Sequence, residues 1–280
     1  MTENPRRIGY SRITLALGAV TDPEPMIELA GVLARAAGAR LHGLLLEDRS
    51  LFDLAELPFS TSISAGPSRT RTPLTAVALE AAFARQERLF RKILGRLPAG
   101  SEPGWSFERR RGVLPEVIGA LAEDELLLIA PDTETGEAEA ALVSVRGGTA
   151  RIGGFGLLTA RASRRQGPIM ALVDPGPAAE RVLDLARRLA SGTGRPIEIL
   201  LLGGDDKAAR EILARSESGA GSEPAYERLA EKTESALKAK IAETRPSLLV
   251  GDLHAWPFDD HGSGAAAVQA CRCPVILLRC

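Results

Sequence analysis

Between Asp252 and His261 the chain reads Asp-Leu-His-Ala-Trp-Pro-Phe-Asp-Asp-His, which gathers two of its three histidines with three aspartates. Asp252, His254, Asp259, Asp260 and His261 are ligand types for Zn²⁺ or a harder divalent ion. The same imidazoles can act as acid and base on a phosphate, so one reading is a metal-dependent hydrolase. The other reading is a solvated polar loop at the carboxyl ends of strands, the edge where open α/β sheets bind ligands. Pro257 restricts this loop. Trp256 and Phe258 are then expected to fold over the sheet edge, so that the loop closes a ligand position instead of creating a metal site.

The remaining reactive side chains are sparse. All three cysteines fall within the last ten residues. That is no disulfide framework, and Cys271-Arg-Cys273 with Cys280 reads as structural before it reads as metal-binding. Arg109-Arg-Arg111 reads as a solvated strand end or, less simply, an anion site. His42, flanked by Leu41 and Leu44, reads as a satisfied packing residue. The chain has no Walker-type phosphate loop, no Gly-x-Gly-x-x-Gly after its first strands and no Gly-x-Ser-x-Gly elbow. These absences lower the expectation of an NTPase, a dehydrogenase or a hydrolase.

The elements that must carry these residues follow from composition and patterning. The 280 residues suffice for two domains. Lys plus Arg is 35 against 36 for Asp plus Glu, so no basic field draws nucleic acid or anionic lipid. No apolar run approaches the roughly 20 residues that span a bilayer. The N-terminus lacks an apolar stretch of secretory type, and the expectation is a cytoplasmic protein. Aromatic residues are only 4%, so Leu, Ala, Val and Ile must build the core.

The chain also resembles itself. Ile27-Glu-Leu-Ala-Gly-Val-Leu-Ala34 lies on Leu183-Asp-Leu-Ala-Arg-Arg-Leu-Ala190, Gly38 on Gly194, Leu44-Leu45-Leu46 on Leu200-Leu201-Leu202, and Ile13–Leu17 on Ile169–Val173. Further along, and after a shorter connection in the second copy, Leu128–Asp132 lies on Leu248–Asp252. Two linked matches in one order point to duplication. Each copy opens as strand, helix, strand: an apolar run, a helix entered at Thr21-Asp22-Pro23-Glu24 and closed by Gly38, then a second apolar run. Thr21 or Asp22 is the expected cap. A long helix with Leu74, Val77, Phe83, Phe90, Ile93 and Leu97 apolar follows the Ser/Pro/Thr-rich segment Phe59–Thr72. The first copy is expected to end on a strand at Leu157–Thr159 and the second on Pro274–Leu278. Each copy reads as a five-stranded parallel α/β layer.

The order of Ala171-Leu-Val-Asp174 before a helix, Arg245-Pro-Ser-Leu-Leu-Val-Gly251 and Cys273-Pro-Val-Ile-Leu-Leu-Arg279 resembles the universal stress protein family in tandem form. Arg110-Arg-Gly-Val-Leu-Pro-Glu-Val-Ile118 in the first copy is similar to that family's third strand and following helix. Glu47-Asp48 with Leu54-Ala-Glu-Leu-Pro-Phe59 resembles members with a longer first copy. The resemblance implies two tandem Rossmann-like domains, residues 8–165 with a long insertion at 49–75 and residues 168–280. Each is a mostly parallel five-stranded sheet flanked by helices, and the two pack as an intramolecular pseudo-dimer through their last strands. It leaves open a monomer or a homodimer of such chains.

It also implies a role in stress response or regulation, by binding an adenine nucleotide or a protein partner and not by turnover. In nucleotide-binding members an Asp after the first strand holds the adenosine part, and a glycine loop after the fourth strand holds the phosphates. Asp174 matches the first. Gly251 opens the loop, with Gly262, Ser263 and Gly264 near its far end, so ATP is the expected cofactor if there is one. His254 stands where the second loop glycine belongs, and Ala265 replaces Ser or Thr. In the first copy Gly18 takes the Asp174 position, and Pro131–Ser144 contains only Gly136. Any ATP binding is therefore expected in the second copy alone, and weak.

Overall fold

The computed structural model describes residues 9–18, 22–63, 71–98, 104–130, 152–158, 166–203, 225–229, 231–255 and 273–279. The first half supplies β1 (Arg12–Leu17), α1 (Glu24–Ala37), β2 (Arg40–Asp48), α2 (Arg49–Ala55), β3 (Thr61–Ile63), β4 (Arg71–Pro73), α3 (Ala76–Leu94), β5 (Trp105–Gly112), α4 (Leu114–Gly119), β6 (Glu125–Ala130) and β7 (Gly154–Leu157). The second half supplies β8 (Ile169–Val173), α5 (Ala179–Thr193), β9 (Ile197–Leu201), β10 (Ala225–Arg228), α6 (Glu234–Thr244), β11 (Leu248–Asp252) and β12 (Val275–Leu278).

The apolar runs become central strands buried on both faces, as parallel strands between helix layers must be. One ten-stranded sheet runs β10-β9-β8-β11-β12-β7-β6-β1-β2-β5. Each half therefore has the same internal order: third, second, first, fourth, fifth strand. Every pairing in the sheet is parallel except β12 with β7, where Val275 faces Leu157, Leu277 faces Phe155 and Leu278 faces Gly154. The two halves meet edge to edge at their last strands, within one chain. The mostly parallel α/β architecture matches the expectation.

Both halves stop their first helix with the same device. Gly38 closes α1 at φ +66° and Gly194 closes α5 at φ +65°, a left-handed conformation that costs a residue with a Cβ about 1 kcal/mol or more. On one sheet face α1 packs against α5, so a single apolar layer crosses the join; it includes Ile27, Leu33, Leu183 and Leu189. On the other face Ile118 from α4 and Leu237 and Ile241 from α6 cover Leu127, Phe155, Leu249 and Leu277. No helix among the described residues is long and apolar enough to cross a membrane.

Four local expectations need correction. The cap of α1 is Pro23, with no side-chain cap hydrogen bond, in place of Thr21 or Asp22; proline fixes the φ a helix start requires. The segment read as a Ser/Pro/Thr-rich connection contains the β3–β4 hairpin, preceded by helix α2, which Asp48 caps by accepting from the Ser50 N–H at 2.8 Å. Val77 is 80% exposed, because the buried face of α3 begins only at Phe83. The last strand of the first half is Gly154–Leu157 and not Leu157–Thr159. Its glycines suggest a loop, yet they serve close packing. A Cβ on Gly156 would come within 2.5 Å of Leu128 Cδ2, and one on Gly154 within 2.9 Å of the Leu277 carbonyl oxygen.

Candidate functional site

The carboxyl ends of β8, β9 and β11 lie side by side, because β8 pairs with β9 on one flank and with β11 on the other. The chain direction reverses its march across the sheet at β8, so this is the switch point where open α/β sheets leave a crevice. Asp174 is the first residue beyond β8. Its side chain is 35% exposed, and Lys232 Nζ donates to Oδ2 at 3.1 Å and to Oδ1 at 3.3 Å. Lys232 reaches it from the connection between β10 and α6, immediately before Thr233, which caps α6 by accepting from the Ala236 N–H. Gly203, two residues past β9, makes room for the lysine: a Cβ there would stand 2.9 Å from Lys232 Cε and 3.6 Å from Asp174 Oδ1.

On the neighbouring strand, Gly251 is buried within β11 and Asp252 ends it. Asp252 Oδ1 accepts from the His254 N–H at 3.0 Å. That carboxylate shapes the turn, as aspartates do when they bond backbone two residues on. His254 itself is exposed. Of the expected nucleotide residues, Asp174 and Gly251 thus stand on adjacent strand ends, while Gly262, Ser263 and Gly264 lie outside the described residues. Of the candidate metal ligands, Asp252 and His254 are placed and Asp259, Asp260 and His261 lie outside the described residues, as do Trp256, Pro257 and Phe258. No cluster of three metal-ligating side chains occurs among the described residues. Cys273 is buried at the start of the last strand, and Cys271 and Cys280 fall outside the described residues.

The matching edge of the first half is built differently. Gly18 follows β1, and a side chain added there would meet nothing within 4 Å. Instead the charge sits one strand over. Glu47 on β2 has a side chain only 4% exposed and lies between Arg109 and Arg111 of β5, with Arg111 Nε donating at 3.1 Å and Arg109 Nε donating to the other oxygen. Both arginines also donate to Glu80 of α3. The Arg109 hydrogen bond holds the Glu80 carboxyl below the usual carboxylate range against the opposing effect of desolvation, and the Arg111 hydrogen bond adds to the lowering. The Arg111 guanidinium lies 3.7 Å from the centre of the Phe52 ring, which stacks on Phe83 at 5.9 Å. The arginine run stands at the end of β5 with Arg110 and Arg111 exposed, as a solvated strand end would, but it is no open anion site: Arg109 and Arg111 are counter-ions that tie α2 and α3 to the sheet.

His42 is held as expected of a packing residue. Its Nδ1 is hydrogen-bonded to Ser106 Oγ at 2.9 Å, and Nε2 lies 3.7 Å from Glu108. Burial pushes its pKa below 6.5, and the nearby Arg12 guanidinium pushes the same way. Glu80, Gly203 and Lys232 escape a reading of sequence, and Glu47 enters it only as part of a resemblance, because each is ordinary by type and acquires meaning only from the partner that the fold brings to it.

The sequence matches no protein-family model and no curated protein. The fold does match solved structures. A universal stress protein from Archaeoglobus fulgidus DSM 4304 aligns over 96% of this chain and 98% of its own, with a TM-score of 0.57 at 12% identity. A putative universal stress protein from Pseudomonas aeruginosa UCBPP-PA14 aligns over 98% and 94%, with a TM-score of 0.56 at 12% identity. A functionally unknown protein from Pseudomonas aeruginosa PAO1 gives 0.55 at the same identity, over 98% and 94%.

Proposed function

Starting from the universal-stress-protein fold, we propose that this chain is a regulatory binding protein without turnover, and that its ligand is an adenine nucleotide taken up by the second half alone. The observation that carries this reading is the placement of Asp174 at the switch point, beside the strand that ends in Gly251 and Asp252. A carboxylate there can accept from ribose hydroxyls or an exocyclic amine, and a glycine on the next strand lets backbone N–H groups come close to phosphate oxygens. The first half offers Gly18 at the same place, and its nearest strand-end carboxylate, Glu47, is held between Arg109 and Arg111. Titration calorimetry with ATP tests the reading. Binding with one site per chain is expected for the wild type, loss of it in Asp174→Ala, and no change in Gly18→Ala. Binding that survives Asp174→Ala would place the ligand elsewhere. Metal analysis of the same purified sample tests the hydrolase alternative, which requires a stoichiometric ion that disappears when His254 and His261 are both replaced by Ala.

A further inference from the structure

Asp174 is already engaged. Both of its oxygens face one ammonium, at 3.1 and 3.3 Å, and that ammonium arrives on a side chain seated over Gly203. The seat is specific to this half. At the position that Gly203 occupies in the repeat, the first half carries Glu47, whose side chain is paired and buried. Loss of a side chain at 203 is what lets the Lys232 stem lie flat across the end of β9 and reach the end of β8. A ligand that addresses Asp174 through neutral donors must therefore compete with a tethered cation that is always present.

We propose that Lys232 is an affinity- and specificity-determining residue of this edge: it occupies Asp174 as an internal ligand, and adenosine or a nucleotide binds by displacing it. The inference rests on the Asp174 reading above. Lys232 is 44% exposed and Asp174 35%, so the pair is solvent-screened and its displacement is affordable. A surface ion pair of this kind limits the penalty to about a fivefold loss of affinity. The penalty falls hardest on a nucleoside, which brings no charge for the released ammonium. A nucleotide brings phosphates that can take the lysine as a counter-ion, so the edge selects for the phosphorylated ligand.

Calorimetric titration of the full chain with adenosine and with ATP tests this. Lys232→Met removes the internal cation. Gly203→Ala leaves the charge but places a methyl 2.9 Å from Lys232 Cε, which unseats the stem. Adenosine affinity is expected to rise up to about fivefold in Lys232→Met, to rise less in Gly203→Ala, and to stay at the wild-type value in Lys232→Arg. The preference for ATP over adenosine should shrink in Lys232→Met. Adenosine binding that is unchanged or weaker in Lys232→Met, while Asp174→Ala abolishes it, overturns the displacement idea and leaves the nucleotide reading standing. Absence of binding of either probe to wild type and all variants overturns both.

Discussion

The two halves share strand order, first-helix C-caps and core, yet they place charge at the carboxyl ends of their strands in different ways. In the first half the acid is Glu47 on the second strand, buried between two arginines of the third strand and backed by Glu80. In the second half the acid is Asp174 after the first strand, paired with one lysine from beyond the third, over a glycine. Moving the carboxylate by one strand turns a buried cross-tie into an exposed, separable pair. A buried multi-partner pair holds structure, since removing one member strands the others. An exposed pair contributes little to stability and can be opened by a ligand.

Substitutions rank the strength of these arrangements. The largest effect is expected at the join the halves have in common. Gly156→Val puts side-chain atoms into Leu128 and against the Val275 carbonyl, and should cost about 3 kcal/mol or more in urea denaturation. Wild-type stability in that variant would mean that β7 does not sit tightly against β12. Next comes Glu47→Ala. It leaves Arg109 and Arg111 without their buried partner and should cost about 2 kcal/mol, discounted from the fully buried case because Arg111 is 44% exposed. The parallel change in the second half, Lys232→Met, should cost no more than about 1 kcal/mol. Equal costs for the two would erase the contrast.

Gly18→Asp sharpens the comparison from the other side. Space is open at that position, so the fold should tolerate the aspartate. Even so, ATP stoichiometry should stay at one per chain, because Pro131–Ser144 offers only Gly136 where the phosphates would need a glycine loop; a second site would show that the missing aspartate alone silenced the first half. The smallest effect concerns His42. Its lowered pKa means that the unfolded chain binds the proton more readily. The stability it contributes is complete above about 6.5 and is lost as the pH falls from there towards the lowered value. Thermal melts between pH 7.5 and 5 should flatten slightly in His42→Gln.

Much of this fold is legible in sequence because its strands are continuous apolar runs and its first helices end in glycine at matching places. Ile13–Leu17 and Ile169–Val173 cannot be anything but buried strands once the repeat is seen. What escapes is whatever depends on long-range approach. Gly154 and Gly156 resemble a loop until β12 is laid against them. Thr21 and Asp22 are better caps by type than Pro23, yet Pro23 starts the helix. Asp174 is picked out only by the resemblance to the universal stress protein family, Lys232 and Gly203 have no local signature, and nothing in Arg109-Arg-Arg111 reveals a glutamate on a strand more than sixty residues earlier.

The antiparallel pairing of β7 with β12 has a consequence for dose. When matching halves sit on separate chains, their union depends on how much protein is present, and a weakened half can be exchanged for a better one. Here both strands belong to one polypeptide, so each half meets its counterpart at the high local concentration set by the connecting chain, whatever the abundance. A half whose strand end carries the buried Glu47 cluster is thereby kept permanently beside one whose strand end carries the exposed Asp174–Lys232 pair.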